Sequence, residues 1–129
     1  MRRTASAVLT ATLGLSLAVM SAPAATAKDG DVIQRGSCSQ GATWKLKASP
    51  ENGRIEVEGE IDTNRVGQKW RWRMSHNGSL SARGRATTTA PSGSFERRRV
   101  LVNLNGRDSF VFRARHRASG QVCVARVNF

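Results

Sequence analysis

From Trp44 onward, apolar and charged side chains alternate with a period of two, and no 3.6-residue pattern competes with that alternation. A strand turns successive side chains to opposite faces, so such a chain covers one face of each strand and leaves the other in water. Trp44, Leu46 and Ala48 alternate with Lys45 and Lys47; Ile55, Val57, Gly59 and Ile61 alternate with Glu56, Glu58 and Glu60. Trp70, Trp72 and Met74 alternate with Lys69, Arg71 and Arg73, and Leu80, Ala82, Gly84 and Ala86 with Ser81, Arg83 and Arg85. Phe110, Phe112 and Ala114 alternate with Arg113, Arg115 and Arg117, and a last strand runs from Val122 to Val127.

Turn residues separate these runs: Pro50-Glu51-Asn52-Gly53, Asn77-Gly78, Asn105-Gly106-Arg107-Asp108 and Ala118-Ser119-Gly120. Parity bears on the second hairpin. A two-residue turn at Asn77-Gly78 would place Trp72 opposite Arg83, whereas a three-residue loop over 77–79 places Met74 opposite Ala82 and Trp72 opposite Gly84. The three-residue loop is therefore predicted. The strand opened by Phe95 changes parity before Val100 and Val102, which predicts a bulge near Arg97–Arg99. Seven short strands separated by turns predict an all-β, antiparallel sandwich of the immunoglobulin or fibronectin type III kind over 38–129, preceded by a flexible segment at 28–37.

The start of the chain has a different character. Met1-Arg2-Arg3 is a positive lead, Ala7 to Met20 is an apolar run of 14 residues, and Ala25-Thr26-Ala27 fits small-x-small cleavage. The run falls short of the ~20 residues that cross a bilayer as a helix. Residues 1–27 are therefore expected to be a cleaved signal peptide using the general secretory route, and the mature protein to be extracellular with no stable membrane span. In an oxidising compartment Cys38 and Cys123 are expected to pair. Closing a loop of that length stabilises a fold by about 4–5 kcal/mol on the chain-entropy account.

Several segments carry a family resemblance: Gly36-Ser37-Cys38, Trp44-Lys45-Leu46, Gly53-Arg54-Ile55-Glu56-Val57, Asp62-Thr63-Asn64-Arg65, Gly67-Gln68-Lys69-Trp70, Pro91-Ser92-Gly93-Ser94-Phe95 and Gly120-Gln121-Val122-Cys123. Together they resemble small secreted proteins of high-GC Gram-positive bacteria such as streptomycetes. The resemblance spans essentially the whole mature chain. It implies origin, export and fold, and lends no functional residue.

Charge is the most informative functional signal. Lysine and arginine number 21 against 9 acidic residues, a formal net charge of +12, while 39% of residues are apolar, too many for a disordered polyelectrolyte. Glu56, Glu58 and Glu60 share one strand face, and Lys69, Arg71 and Arg73 share a face of the next strand. If those strands are hairpin partners, the charges neutralise one another. If they lie in opposite sheets, the third strand sits between the fourth and sixth. One outer face then gathers Lys69, Arg71, Arg73, Arg83, Arg85, Arg113, Arg115 and Arg117. Such a face suits a polyanion outside the cell, a cell-wall polymer or nucleic acid, because the guanidinium fork matches phosphate.

Other chemistry is sparse. No G-x-S-x-G, H-E-x-x-H or phosphate-loop pattern occurs, and the two histidines, His76 and His116, have no nucleophile motif beside them. The chain is therefore expected to be a secreted, non-enzymatic binding module with no catalytic residues, cofactor or metal. The alternative is a protein-binding module, such as an inhibitor of a secreted hydrolase or an adhesion domain, acting through the loops at 62–68 and 87–93.

Overall fold

The computed structural model describes residues 30–129; the expected signal peptide at 1–27 lies outside the described residues. Eight strands follow one another: β1 (Val32–Ser37), β2 (Thr43–Glu51), β3 (Arg54–Asp62), β4 (Lys69–His76), β5 (Ser79–Thr87), β6 (Ser94–Val102), β7 (Ser109–His116) and β8 (Val122–Asn128). They form two four-stranded sheets, ordered β1-β2-β3-β6 and β5-β4-β7-β8, with every pairing antiparallel.

Seven of these strands are the ones that the alternation predicts. The eighth, β1, falls in the stretch expected to be a flexible lead. It pairs with β2 from Val32↔Ala48 to Ser37↔Thr43. Its pattern is too polar and too short to stand out along the chain, and it becomes a strand because β2 offers an open edge.

The hairpins show how local chemistry sets register. Asn52-Gly53 and Asn77-Gly78 each have positive φ at both residues, the two-residue primed turn whose twist suits adjoining strands. At the second hairpin the apolar pairs expected from parity are present, Met74↔Ala82 and Trp72↔Gly84. The predicted three-residue loop is not. His76 pairs with Ser79 and Ser75 with Leu80, and the register shifts between Met74 and Ser75, so Ser81 is the additional residue within the strand.

A second correction concerns β6, which pairs with β3 residue for residue from Ser94↔Asp62 to Val102↔Arg54 with no bulge. Phe95, Arg97, Arg99 and Leu101 therefore share the inward parity. An edge strand tolerates two inward arginines because their heads reach solvent past the sheet margin.

The core lies between the sheets. Leu46, Ile55, Val57 and Ile61 of the first sheet meet Trp70, Met74, Phe110 and Phe112 of the second, all fully buried. Burying each such side chain contributes about 1.5–3 kcal/mol. Gly59 is a point of close approach: a Cβ there would lie 2.6 Å from the Phe112 ring, so the aromatic packs on bare backbone. Cys38, just beyond β1, is bonded to Cys123 of β8. The disulfide thus joins the outer strands of the two sheets along one edge. The opposite edge, between β5 and β6, carries no covalent tie.

A candidate anion-binding face

β3 and β4 lie in different sheets, so the glutamates of one never meet the cations of the other. Instead β4 sits between β5 and β7, and the register brings like charges together. Arg71 pairs with Arg85 on one side and Arg115 on the other; Arg73 pairs with Arg83 and Arg113. The result is a grid of two rows and three columns of arginine. Strands lie about 4.8 Å apart, and alternate residues along a strand about 6.8 Å.

Lys69 continues the central column, and the Arg117 amide donates to the Lys69 carbonyl at 3.0 Å, which places Arg117 beside it. All eight cations expected on this face are present on it and exposed. Among the described residues, none of them forms an ion pair with a carboxylate.

The strands of this sheet hold eight cationic residues (these six arginines, Lys69 and Arg126) and no acidic one. The other sheet's strands hold seven cationic residues (Arg35, Lys45, Lys47, Arg54, Arg97, Arg98, Arg99) and six acidic ones (Glu51, Glu56, Glu58, Glu60, Asp62, Glu96). A groove of about 600 Å³ runs over the grid, lined by its six arginines with Trp72 and Gly84, and a smaller one lies between Arg71, Arg115 and Arg117. Like charges directly opposite across a strand pair are destabilising, by up to roughly 1 kcal/mol per pair in water. The grid therefore works against folding and favours an anion that relieves it.

The arginine run 97–99 divides between the two surfaces. Arg98 points outward on the first sheet and donates to the Glu56 carboxylate at 2.9 Å. Arg97 and Arg99 turn to the open β5/β6 edge. The Arg97 guanidinium donates to the carbonyls of Glu96 and Arg85, at 2.7 and 3.2 Å, and lies 5.7 Å from the Phe95 ring centre. That of Arg99 donates to the Arg98 carbonyl at 2.7 Å and lies 5.2 Å from the Trp72 ring centre. A bulge at 97–99, as the change of parity predicts, would leave their direction undetermined; the unbroken pairing with β3 fixes it. Phe95 and Leu101 in step with two intervening arginines suit an edge strand, and the assembled sheet shows that β6 is one.

The two loops singled out as the alternative site come together at one end of the sandwich. The Thr63 amide donates to the Gly93 carbonyl at 3.0 Å, the Gly67 amide to the Thr88 carbonyl at 2.8 Å, and the Gln68 amide to the Thr88 hydroxyl at 2.9 Å. Thr88 is buried, and its hydroxyl donates to the Arg65 carbonyl. Gly93 lies so close to the backbone of Arg65 that a Cβ would lie 2.3 Å from its nitrogen. A hydrogen-bonded brace thus holds together two loops that contain no cysteine. Beside it, Arg65, Val66, Lys69, His116 and Arg117 border an open pocket of about 600 Å³.

The histidines stand at opposite ends of the β4–β7 ladder, in the pairs Trp70↔His116 and His76↔Phe110, about 20 Å apart along the strands. His76 bonds to the buried Asp108 carboxylate and stacks on Phe110; His116 bonds to the Ser119 hydroxyl at 2.7 Å and stacks on Trp70. The two share no site. Among the described residues, no group of three or more His, Cys, Asp or Glu is placed to hold a metal ion. Comparison with known protein families, with curated proteins and with solved structures finds no match to this chain.

Proposed function

We propose that this protein is an exported, non-enzymatic binding module whose β5-β4-β7 face binds a polyanion of the cell wall or extracellular space. One observation carries this reading: six arginines stand in register on three adjacent strands with no acidic residue in their sheet. Arginine's fork takes phosphate bidentately and stays charged at every physiological pH. The aromatic side chains of these strands, Trp70, Trp72, Phe110 and Phe112, are buried against the core and offer no exposed ring to stack on. Recognition would therefore rest on backbone charge rather than on stacking of bases. With β1 set aside, the orders β2-β3-β6 and β5-β4-β7-β8 support placing the fold with the immunoglobulin and fibronectin type III sandwiches. Export and an actinobacterial origin rest on the leader pattern and on the resemblance of the mature segments.

The test is binding to heparin, duplex DNA and teichoic acid across a salt series. Engagement of about six phosphates gives a log K against log[salt] slope near −5 for duplex DNA. Arg71→Glu with Arg115→Glu removes most of that slope. Absence of binding to all three polymers at low salt refutes the reading.

The braced loop pair supports a second reading, recognition of a protein by the loops at 62–68 and 87–93. Preorganised loops lose little entropy on docking. Slow cleavage within 87–93 by a cognate secreted protease, with the protease retained, favours it; indifference to proteases removes it.

A further inference from the structure

Among the described residues the heads of the grid arginines make no hydrogen bond or ion pair, whereas Arg97 and Arg99 are each anchored twice over, by backbone carbonyls and by an aromatic ring. Among the described residues, neither has a carboxylate partner. A guanidinium pinned by neutral groups keeps its full charge and its unused N–H donors, and loses little side-chain entropy when an anion arrives. The position of the pair matters as much as its rigidity. Arg97 donates to the carbonyl of Arg85, itself in the outer column of the grid, so the rim begins where the grid ends. Cationic surface therefore runs from Arg113 and Arg115 on β7, across β4 and β5, and over the open edge of the sandwich to Arg97 and Arg99 on β6.

We infer that Arg97 and Arg99 form an anchoring subsite for a flexible, single-chain phosphate polymer, which crosses the strands of the grid and turns round the β5 edge onto β6. This rests on the polyanion reading of the grid and goes beyond it by naming the ligand's form. A duplex is stiff over about 50 nm, so it lies on the flat grid without following the surface round a single strand edge. A single chain bends at that scale. The bland role for the pair is to cover the core rim with aliphatic stems, and the two roles separate experimentally.

The experiment uses Arg97→Met/Arg99→Met, which keeps apolar cover over Trp72 and Phe95 and removes both charges. Binding of wild type and variant to inorganic polyphosphate and to duplex DNA is measured across a salt series, with melting temperatures as a check on folding. The expected result is a polyphosphate slope shallower by about 1 to 1.5, two phosphates' share for a single chain, with the duplex slope unchanged. An unchanged polyphosphate slope in a variant that still binds overturns the subsite and leaves the grid standing. An equal loss on duplex and polyphosphate overturns the single-chain assignment. Failure of wild type to bind either polymer removes grid and rim together. Parallel titrations with poly(glycerol phosphate) and single-stranded DNA identify the source of the chain, and tighter binding than duplex by either one supports the inference.

Discussion

On the outer face of the first sheet, opposite charges mostly stand side by side, Lys45 opposite Glu60, Lys47 opposite Glu58, Arg98 opposite Glu58 and bonded to Glu56, and one like-charge pair joins them, Glu60 opposite Glu96. On the outer face of the second, the same alternation sets arginine against arginine in both directions. Both faces are built from strands with one buried side and one charged side, so strand pattern does not distinguish them. Neighbourhood does. The first face uses its charges for register and solubility, each exposed pair worth a few tenths of a kcal/mol, and only the bond to the nearly buried Glu56 carboxylate is worth more. The second keeps an uncompensated positive potential, with arginine beside arginine and no carboxylate in its strands.

The two faces are held back to back by a shared core and by the Cys38–Cys123 bond, and cutting that bond has the largest expected effect. Cys38→Ala with Cys123→Ala should lower stability by about 4–5 kcal/mol, a fall in melting temperature of roughly 20 °C. Calorimetry of the oxidised protein and the variant checks this. An unchanged melting temperature would mean that packing alone keeps the sheets together.

Removing a charge from each face should then act in opposite directions. Glu56 is only 9% exposed, so Arg98→Ala leaves a nearly buried carboxylate unpaired and should cost about 1–3 kcal/mol. Adding Glu56→Gln should restore much of the loss, as urea denaturation of single and double variants will show. Arg71→Gln with Arg115→Gln should instead stabilise by up to roughly 1 kcal/mol at low ionic strength, with the gain fading as salt screens the grid. Destabilisation by the latter pair would break the contrast between the faces.

The smallest effect sharpens the first face. Burial, followed by the nearby Glu58 and Glu60 carboxylates, raises the Glu96 pKa above the ordinary glutamate value, against a lowering by Lys45. A raised acid is protonated more readily in the folded chain, so its ionisation weakens the fold as pH climbs from the unfolded value through the folded one. Glu96→Gln should therefore be neutral or slightly stabilising at neutral pH. The difference should vanish below about pH 4, where the carboxyl is protonated in both states. Melting temperatures across that range check the sign.

Much of this was legible along the chain. Parity identified which residues share a strand face, down to the eight cations of the proposed site, and the Asn-Gly pairs marked two turns. The hairpin loop was not legible, because a bulge at Ser81 corrects parity as well as a longer turn does, and side-chain alternation alone does not tell the two apart. The direction of Arg97 and Arg99 was illegible because inward arginines violate alternation everywhere except at an edge, and edge status belongs to the assembled sheet. β1 escaped notice for a related reason: its pairing with β2 makes it a strand, more than any propensity of its own.

The amino-acid sequence by itself determined seven of the eight strands, their alternating pattern, the excess of arginine and the pair of cysteines available to bond. Only the tertiary structure decided that β3 and β4 part company, that β4 lies between β5 and β7, and that two arginines close the open edge. The reason is the range of the forces involved. Alternation is set by each residue's own pleat and solvent exposure, within a few positions. Which strands become neighbours depends on where a connection of a few polar residues carries the chain, along one sheet or across to the other, and that is decided by burying the apolar faces of all the strands at once.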